Sequence, residues 1–120
     1  MTQFLLVCIA GGLGSGARYL TGLAANRWLG NALPFGTLIV NVLGCFFIAL
    51  VLQSATAALT PMHRIVIATG FLGGFTTYSA FNHELLRFVT EGAPGKAAAY
   101  LAVTTIGCAV AGFAGLWLAR

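Results

Sequence analysis

Acidic side chains are almost missing from this chain: 120 residues contain only two, Glu84 and Glu91. Charge of either sign is scarce, at 7% of residues against roughly 25% in ordinary soluble domains. There is also no nucleophile and base pair, side-chain metal set or cofactor motif, so the chain is not an enzyme. Cysteine is limited to three residues, Cys8, Cys45 and Cys108, one to each of three hydrophobic runs and without metal-ligand spacing. They read as small packing residues rather than as a disulfide or metal set. Basic residues outnumber acidic ones for a net charge of +4, but they are scattered as Arg18, Arg27, Arg64, Arg87, Lys96 and Arg120. A nucleic-acid partner needs a clustered basic patch, which is absent. Most of these cations lie near the ends of apolar runs, where lipid headgroups receive them.

Apolar residues are abundant, at 59% of the chain. Four runs stand out, about 3–25, 36–59, 65–88 and 97–119. Each approaches or exceeds the ~20 residues that cross ~30 Å of hydrocarbon. With short connections they account for the whole chain. The expected fold is one all-α transmembrane domain over 1–120, with four helices and multi-pass insertion in a lipid bilayer. Met1-Thr2-Gln3 has no Lys or Arg and the following run has no clear cleavage site, so a signal peptide is not expected.

Four spans put Arg64 and Arg120 on one side of the bilayer and Arg27, Arg87 and Lys96 near the other. Arg18 lies well inside the first span and counts for neither. A split this even gives the positive-inside rule little to act on, so chains are expected in both orientations. An antiparallel homodimer follows, and four spans are few to enclose a pathway alone.

Within the first span, Gly12, Gly14 and Ala17 fit a loose dinucleotide fingerprint, but no strand precedes them. Gly12 and Gly16 instead form a small-xxx-small face for close helix approach. Arg18 serves either as an interfacial anchor or as a cation gathering anions at a vestibule mouth. The second span starts at Pro34-Phe35-Gly36-Thr37 and buries Asn41 among Ile39, Val40, Val42 and Leu43. That amide makes an interhelical hydrogen bond or, as favoured here, donates to a passing anion.

The third span breaks its own pattern at Gly70-Phe71-Leu72-Gly73-Gly74-Phe75-Thr76-Thr77-Tyr78-Ser79-Ala80-Phe81. Gly70 and Gly74 are also spaced for close packing, yet Gly73-Gly74 followed by Thr76-Thr77 predicts unwound backbone near 72–77. In a bilayer such a break persists only where its freed groups are buried in protein, line a wet path or hold an ion. Tyr78 and Phe81, at i and i+3, share a helix face with Ser79 beside them. Their positive ring edges suit a partly dehydrated anion, which a full positive charge would hold too tightly to release. Glu84 and Arg87 are spaced to pair near the membrane surface. His83 lacks the matching acids of a proton relay. In the fourth span Tyr100, Thr104 and Cys108 recur at i, i+4 and i+8 on one face.

The segments Gly11-Gly12 through Arg18-Tyr19, Phe35-Gly36-Thr37-Leu38-Ile39-Val40-Asn41-Val42-Leu43-Gly44 and Gly70 to Phe81 together resemble the three motifs of the fluoride ion channels, the Fluc or CrcB family. The resemblance runs in order over most of the chain. It implies a dual-topology homodimer in the inner (plasma) membrane, with two antiparallel pores that export fluoride passively and relieve its toxicity. It implies a central structural Na+ held by backbone carbonyls of Gly73 and Thr76 from both subunits. It places Asn41, Ser79, Tyr78, Phe81, Tyr100 and Thr104 along the fluoride path and Arg18 at the vestibule. Two departures stand out: Tyr78 replaces the usual phenylalanine, and Ala80 replaces a frequent hydroxyl residue. A proton-coupled small multidrug exporter is the rival of similar size, but it needs an acidic residue in the first span, and none is there. A non-transporting packing subunit would leave Asn41 and the break without a purpose.

Overall fold

The computed structural model describes all 120 residues, and they form helices with no strand. Helix α1 covers Thr2–Leu29 and α2 covers Phe35–Gln53. The third span is assembled from pieces: α3 (Pro61–Ile65), a π-helical segment (Val66–Leu72), α4 (Gly73–Phe75) and α5 (Tyr78–Thr90). Helix α6 covers Pro94–Ala119. Helices α1, α2 and α6 are long and apolar enough to cross a membrane, with mean hydropathy of 1.3, 2.5 and 1.8. The longest dimension is 50 Å, which suits a bundle that crosses both headgroup layers.

Only 16 of the 120 residues are buried, too few to organise a water-soluble core. Large apolar side chains such as Leu13, Phe113 and Trp117 are open on α1 and α6. Lipid or a second copy is the solvent for those faces. The one buried core cluster, Phe81, Phe88, Ala97 and Tyr100, joins α5 to α6, with Leu33 of the connection before α2 and Leu38 of α2 packed against it.

The second helix stops at Gln53, short of Leu59 where the apolar run ends. Arg64 explains the stop. Its guanidinium donates to the carbonyls of Val51 (2.6 Å), Leu52 (3.2 Å) and Leu59 (3.3 Å), and also to that of Ser54. These cap the orphan carbonyls of the α2 terminus and tie the connection down. Arg64 is thus a cap rather than a headgroup anchor. Thr60 then starts α3, its hydroxyl accepting from the His63 amide at 3.2 Å, with Pro61 in the first turn.

Helix α1 packs along the first half of the third span. A Cβ at Gly14 would strike the Phe71 carbonyl, and one at Gly74 would strike that of Gly11. By contrast Gly12 and Gly16 have no neighbour within 4 Å in the protomer, so the close-approach face is a different one from that expected. The break is also narrower than its sequence suggests. The chain stays helical through Gly73, Gly74 and Phe75, and only Thr76 (φ −85°, ψ 161°) and Thr77 (φ −156°, ψ 122°) are extended. Gly74 serves contact with α1, whereas a Cβ at Gly73 would meet only the Ala68 carbonyl of its own span at 3.7 Å. The β-branched threonines, which favour extended backbone, make the break itself.

Candidate functional site: the broken third span

Two extended residues in the middle of a membrane need substitute partners for their backbone groups, and Asn41 supplies them for Thr77. Its Oδ1 accepts from the Thr77 amide at 2.8 Å, and its Nδ2 donates to the Thr77 carbonyl at 2.9 Å. The carboxamide thereby mimics a neighbouring strand and bridges α2 to the break. Both groups are buried, each residue being 9% exposed. The interhelical bond read as one alternative from the sequence is present. An amide nitrogen carries two N–H donors, so one remains for another acceptor. Beyond the break, the Thr77 hydroxyl caps α5 by accepting from the Ala80 amide at 3.2 Å and lies 3.4 Å from the Ser79 hydroxyl. The Thr76 hydroxyl donates back to the Leu72 carbonyl at 2.9 Å, and its methyl fills the space left by the missing side chain of Gly44.

A cavity of about 420 Å³ opens beside the break. It brings together Asn41, Tyr78, Phe81, Thr104, Gly73 and Thr76 from three different spans. No charged side chain lines it, and most of its wall is apolar. Its polar groups include hydroxyls and an amide able to donate. Thr104 stands out among them: it is 4% exposed, and its Oγ1 has no hydrogen-bond partner. A helical threonine ordinarily bonds back to the preceding turn, so a buried hydroxyl left free is available to a guest. Tyr78 and Phe81 meet edge to face, with ring centroids 5.8 Å apart. Phe81 is buried, whereas Tyr78 is 80% exposed on the open side of the cavity.

The remaining sequence-predicted residues lie elsewhere. Ser79 is exposed on the first turn of α5 and does not line this cavity. Arg18 is half-buried on α1, away from it. Tyr100 is fully buried behind Phe81, 5.2 Å between ring centroids, and contributes to the wall only through that ring.

Sequence reasoning misplaced Glu84. Arg87 pairs with Glu91 at 3.8 Å, an exposed contact worth little. Glu84 turns inward, where its two carboxylate oxygens accept from the Thr37 hydroxyl at 2.7 Å and the Tyr100 hydroxyl at 2.6 Å. These short charge-assisted bonds tie α2, α5 and α6 together one turn beyond Phe81. A signal was present. Thr37 precedes Asn41 by four residues, Tyr100 precedes Thr104 by four, and Glu84 follows Phe81 by three, so each lies on the same helix face as a cavity residue.

A cation at the break would have to use backbone oxygen. No group of three or more His, Cys, Asp or Glu side chains gathers anywhere in the chain. Among backbone bonds outside the regular helices, none ends on the Gly73 or Thr76 carbonyl, whereas the Thr77 carbonyl is taken by Asn41. Two such oxygens suit a hard monovalent ion in kind but are too few to hold one alone.

Comparison with known proteins points the same way. The profile of the family described as "CrcB-like protein, Camphor Resistance (CrcB)" matches residues 5–116. The chain is 49% identical to the "Fluoride-specific ion channel FluC" of Anaeromyxobacter sp. (strain K), covering 100% of this chain and 97% of that protein. It is 43% identical to the protein of the same name from Chelativorans sp. (strain BNC1), covering 100% and 98%. Identity is 36% to the one from Sulfurihydrogenibium sp. (strain YO3AOP1), again covering 100% and 98%.

Proposed function

The chain belongs to the CrcB-like protein family, and we propose on that footing that it is a fluoride-specific ion channel of the membrane. The observation that carries the reading is the uncharged cavity beside the broken span, where the free Thr104 hydroxyl and the second Asn41 N–H are left to donate. Fluoride is small and strongly hydrated, so it enters a narrow path only where fixed donors replace its water. Neutral donors and ring edges do this without the deep well that a fixed positive charge would make. Asn41, Thr104, Tyr78 and Phe81 form the inner part of the path. Ser79 joins from the exposed turn, Tyr100 backs the Phe81 ring, and Arg18 draws anions toward the mouth. No acid lines the cavity to carry a proton, and movement is passive, down the electrochemical gradient.

The assembly is an antiparallel homodimer in the plasma membrane. Its support is the even division of basic residues between the two sides and the open flank at Tyr78, which a second copy would close. Two copies crossing at their breaks form two antiparallel pores. The carbonyls of Gly73 and Thr76 from each would hold one Na+, whose charge clamps the two breaks together. Export of fluoride through such pores relieves its toxicity.

The deciding experiment is fluoride efflux from liposomes containing the purified protein. Passive fluoride flux with little chloride flux is the expected result. Flux that requires a proton gradient, or that carries organic cations, overturns the reading.

A further inference from the structure

Cys45 and Cys108 are far apart in sequence, and their spacing alone predicts packing. The fold pairs α2 with α6 and sets the two thiols on one shared stretch of cavity wall. Both are only partly buried. They line the cavity at the break and also a second cavity of about 440 Å³, which continues toward the end of α2 past Leu52 and Gln53. Cys45, Ile48 and Cys108 are the residues common to both linings. The thiol pair therefore stands at the junction between two cavities that follow one another along α2 and α6.

We infer that Cys45 and Cys108 form a two-coordinate site for a soft divalent metal ion of the mercuric class, and that loading it closes the junction between the two cavities. The closure, unlike the binding, rests on the channel reading given above. Three features select this chemistry. Thiolate sulfur prefers soft metals over the hard cations that favour oxygen. Zinc and iron–sulfur centres take about four protein ligands, and no third His, Cys, Asp or Glu joins this pair. A linear bis-thiolate complex is complete with two. Charge selects further: two thiolates cancel a divalent ion, and a neutral product avoids the cost of a buried net charge. On binding, two S–H bonds break, two metal–sulfur bonds form and two protons leave to solution, with no change in oxidation state. Ile48, the other shared wall residue, offers no competing ligand. Cys8 is exposed on α1 with no thiol beside it and can supply one bond only.

The test uses the full-length Cys8→Ser protein, with Hg2+ as the probe. It should bind one Hg2+ per chain, and one equivalent should protect both remaining thiols from a maleimide. Adding Cys45→Ser or Cys108→Ser should weaken binding by at least about 100-fold, because the second bond is intramolecular in the intact pair. Alanine at either position replaces serine if a variant does not elute as a monodisperse species. In liposomes, loaded Cys8→Ser protein should lose most of its fluoride flux and regain it when a dithiol chelator removes the metal. A thiol that stays reactive after one equivalent, or equal affinity in the single-cysteine variants, overturns the site. Full flux in the loaded protein overturns the closure. Absence of flux before loading counts against the channel reading instead, and the titration still decides the site.

Discussion

Replacing Asn41 by alanine removes both hydrogen bonds that hold the break, at 2.8 and 2.9 Å, and strands the Thr77 amide and carbonyl. A buried backbone group left unpaired costs about 1–3 kcal/mol, so the ceiling for two is about 6 kcal/mol. Two effects pull the value down. The neighbouring cavity lets water reach Thr77. Interhelical hydrogen bonds in membranes also average only about 0.6 kcal/mol, with a maximum near 1.7, because the reference state finds partners too. Here the third span, once released, can rewind through Thr76 and Thr77 and recover helical bonds. The expected loss is therefore about 2–3 kcal/mol, or roughly 30- to 150-fold in the folding equilibrium. Thr77→Ala is the control. It keeps both backbone bonds but loses the cap on α5, worth about 1 kcal/mol, together with the 3.4 Å contact to the Ser79 hydroxyl and the extended bias of one β-branched residue. Titration of micelle-embedded protein with a denaturing detergent, followed by circular dichroism, measures both. A loss under about 0.5 kcal/mol for Asn41→Ala, within the range of neutral surface changes, would refute the clasp. So would a larger loss for Thr77→Ala.

Tyr78→Phe should preserve fluoride flux, since the ring and its edge contact with Phe81 remain; abolition of flux in the liposome assay would make the hydroxyl essential. Tyr100→Phe deletes the 2.6 Å bond to Glu84 and should cost about 1.5–3 kcal/mol in the same detergent titration, the range for bonds to a charged partner. Gly74→Ala drives a methyl into the Gly11 carbonyl, so α1 and the third span must separate, at about 1–3 kcal/mol of stability read by the same assay. Exchange of Na+ for a large organic cation should lower dimer stability by about 2.7 kcal/mol from a starting concentration 100 times the dissociation constant, measured by subunit exchange. An unchanged dimer would remove sodium from the assembly.

The membrane class, the helical fold and the approximate spans were legible because hydrocarbon imposes a length and polarity rule that the sequence must obey. The break was legible as an event but was drawn too wide, over 72–77 instead of at Thr76 and Thr77 alone. Glycine permits unwinding and also permits close approach within an intact helix, and nothing local distinguishes these uses at Gly73 and Gly74. The neighbour decides, and at Gly74 it is the Gly11 carbonyl of α1. Asn41 could be recognised as a buried amide in need of a partner, but not as a clasp on Thr77. Glu84 looked like half of a surface pair with Arg87, since helix spacing is visible in sequence and contacts across spans are not. Its real partners, Thr37 and Tyr100, lie on two other spans.

By itself, then, the sequence determined that this chain spans a membrane, that its third span cannot be an unbroken helix, and that polar groups sit where only protein or a guest ion can satisfy them. Those are consequences of residue type and spacing. Tertiary structure alone decided which groups come together: Asn41 with Thr77, Glu84 with two hydroxyls, Cys45 with Cys108 on one cavity wall, and Thr104 with nothing. The reason is that a hydrogen bond or a shared ligand site depends on a few ångströms of separation. That separation is set by how α1, α2, α5 and α6 cross, which no one-dimensional pattern specifies.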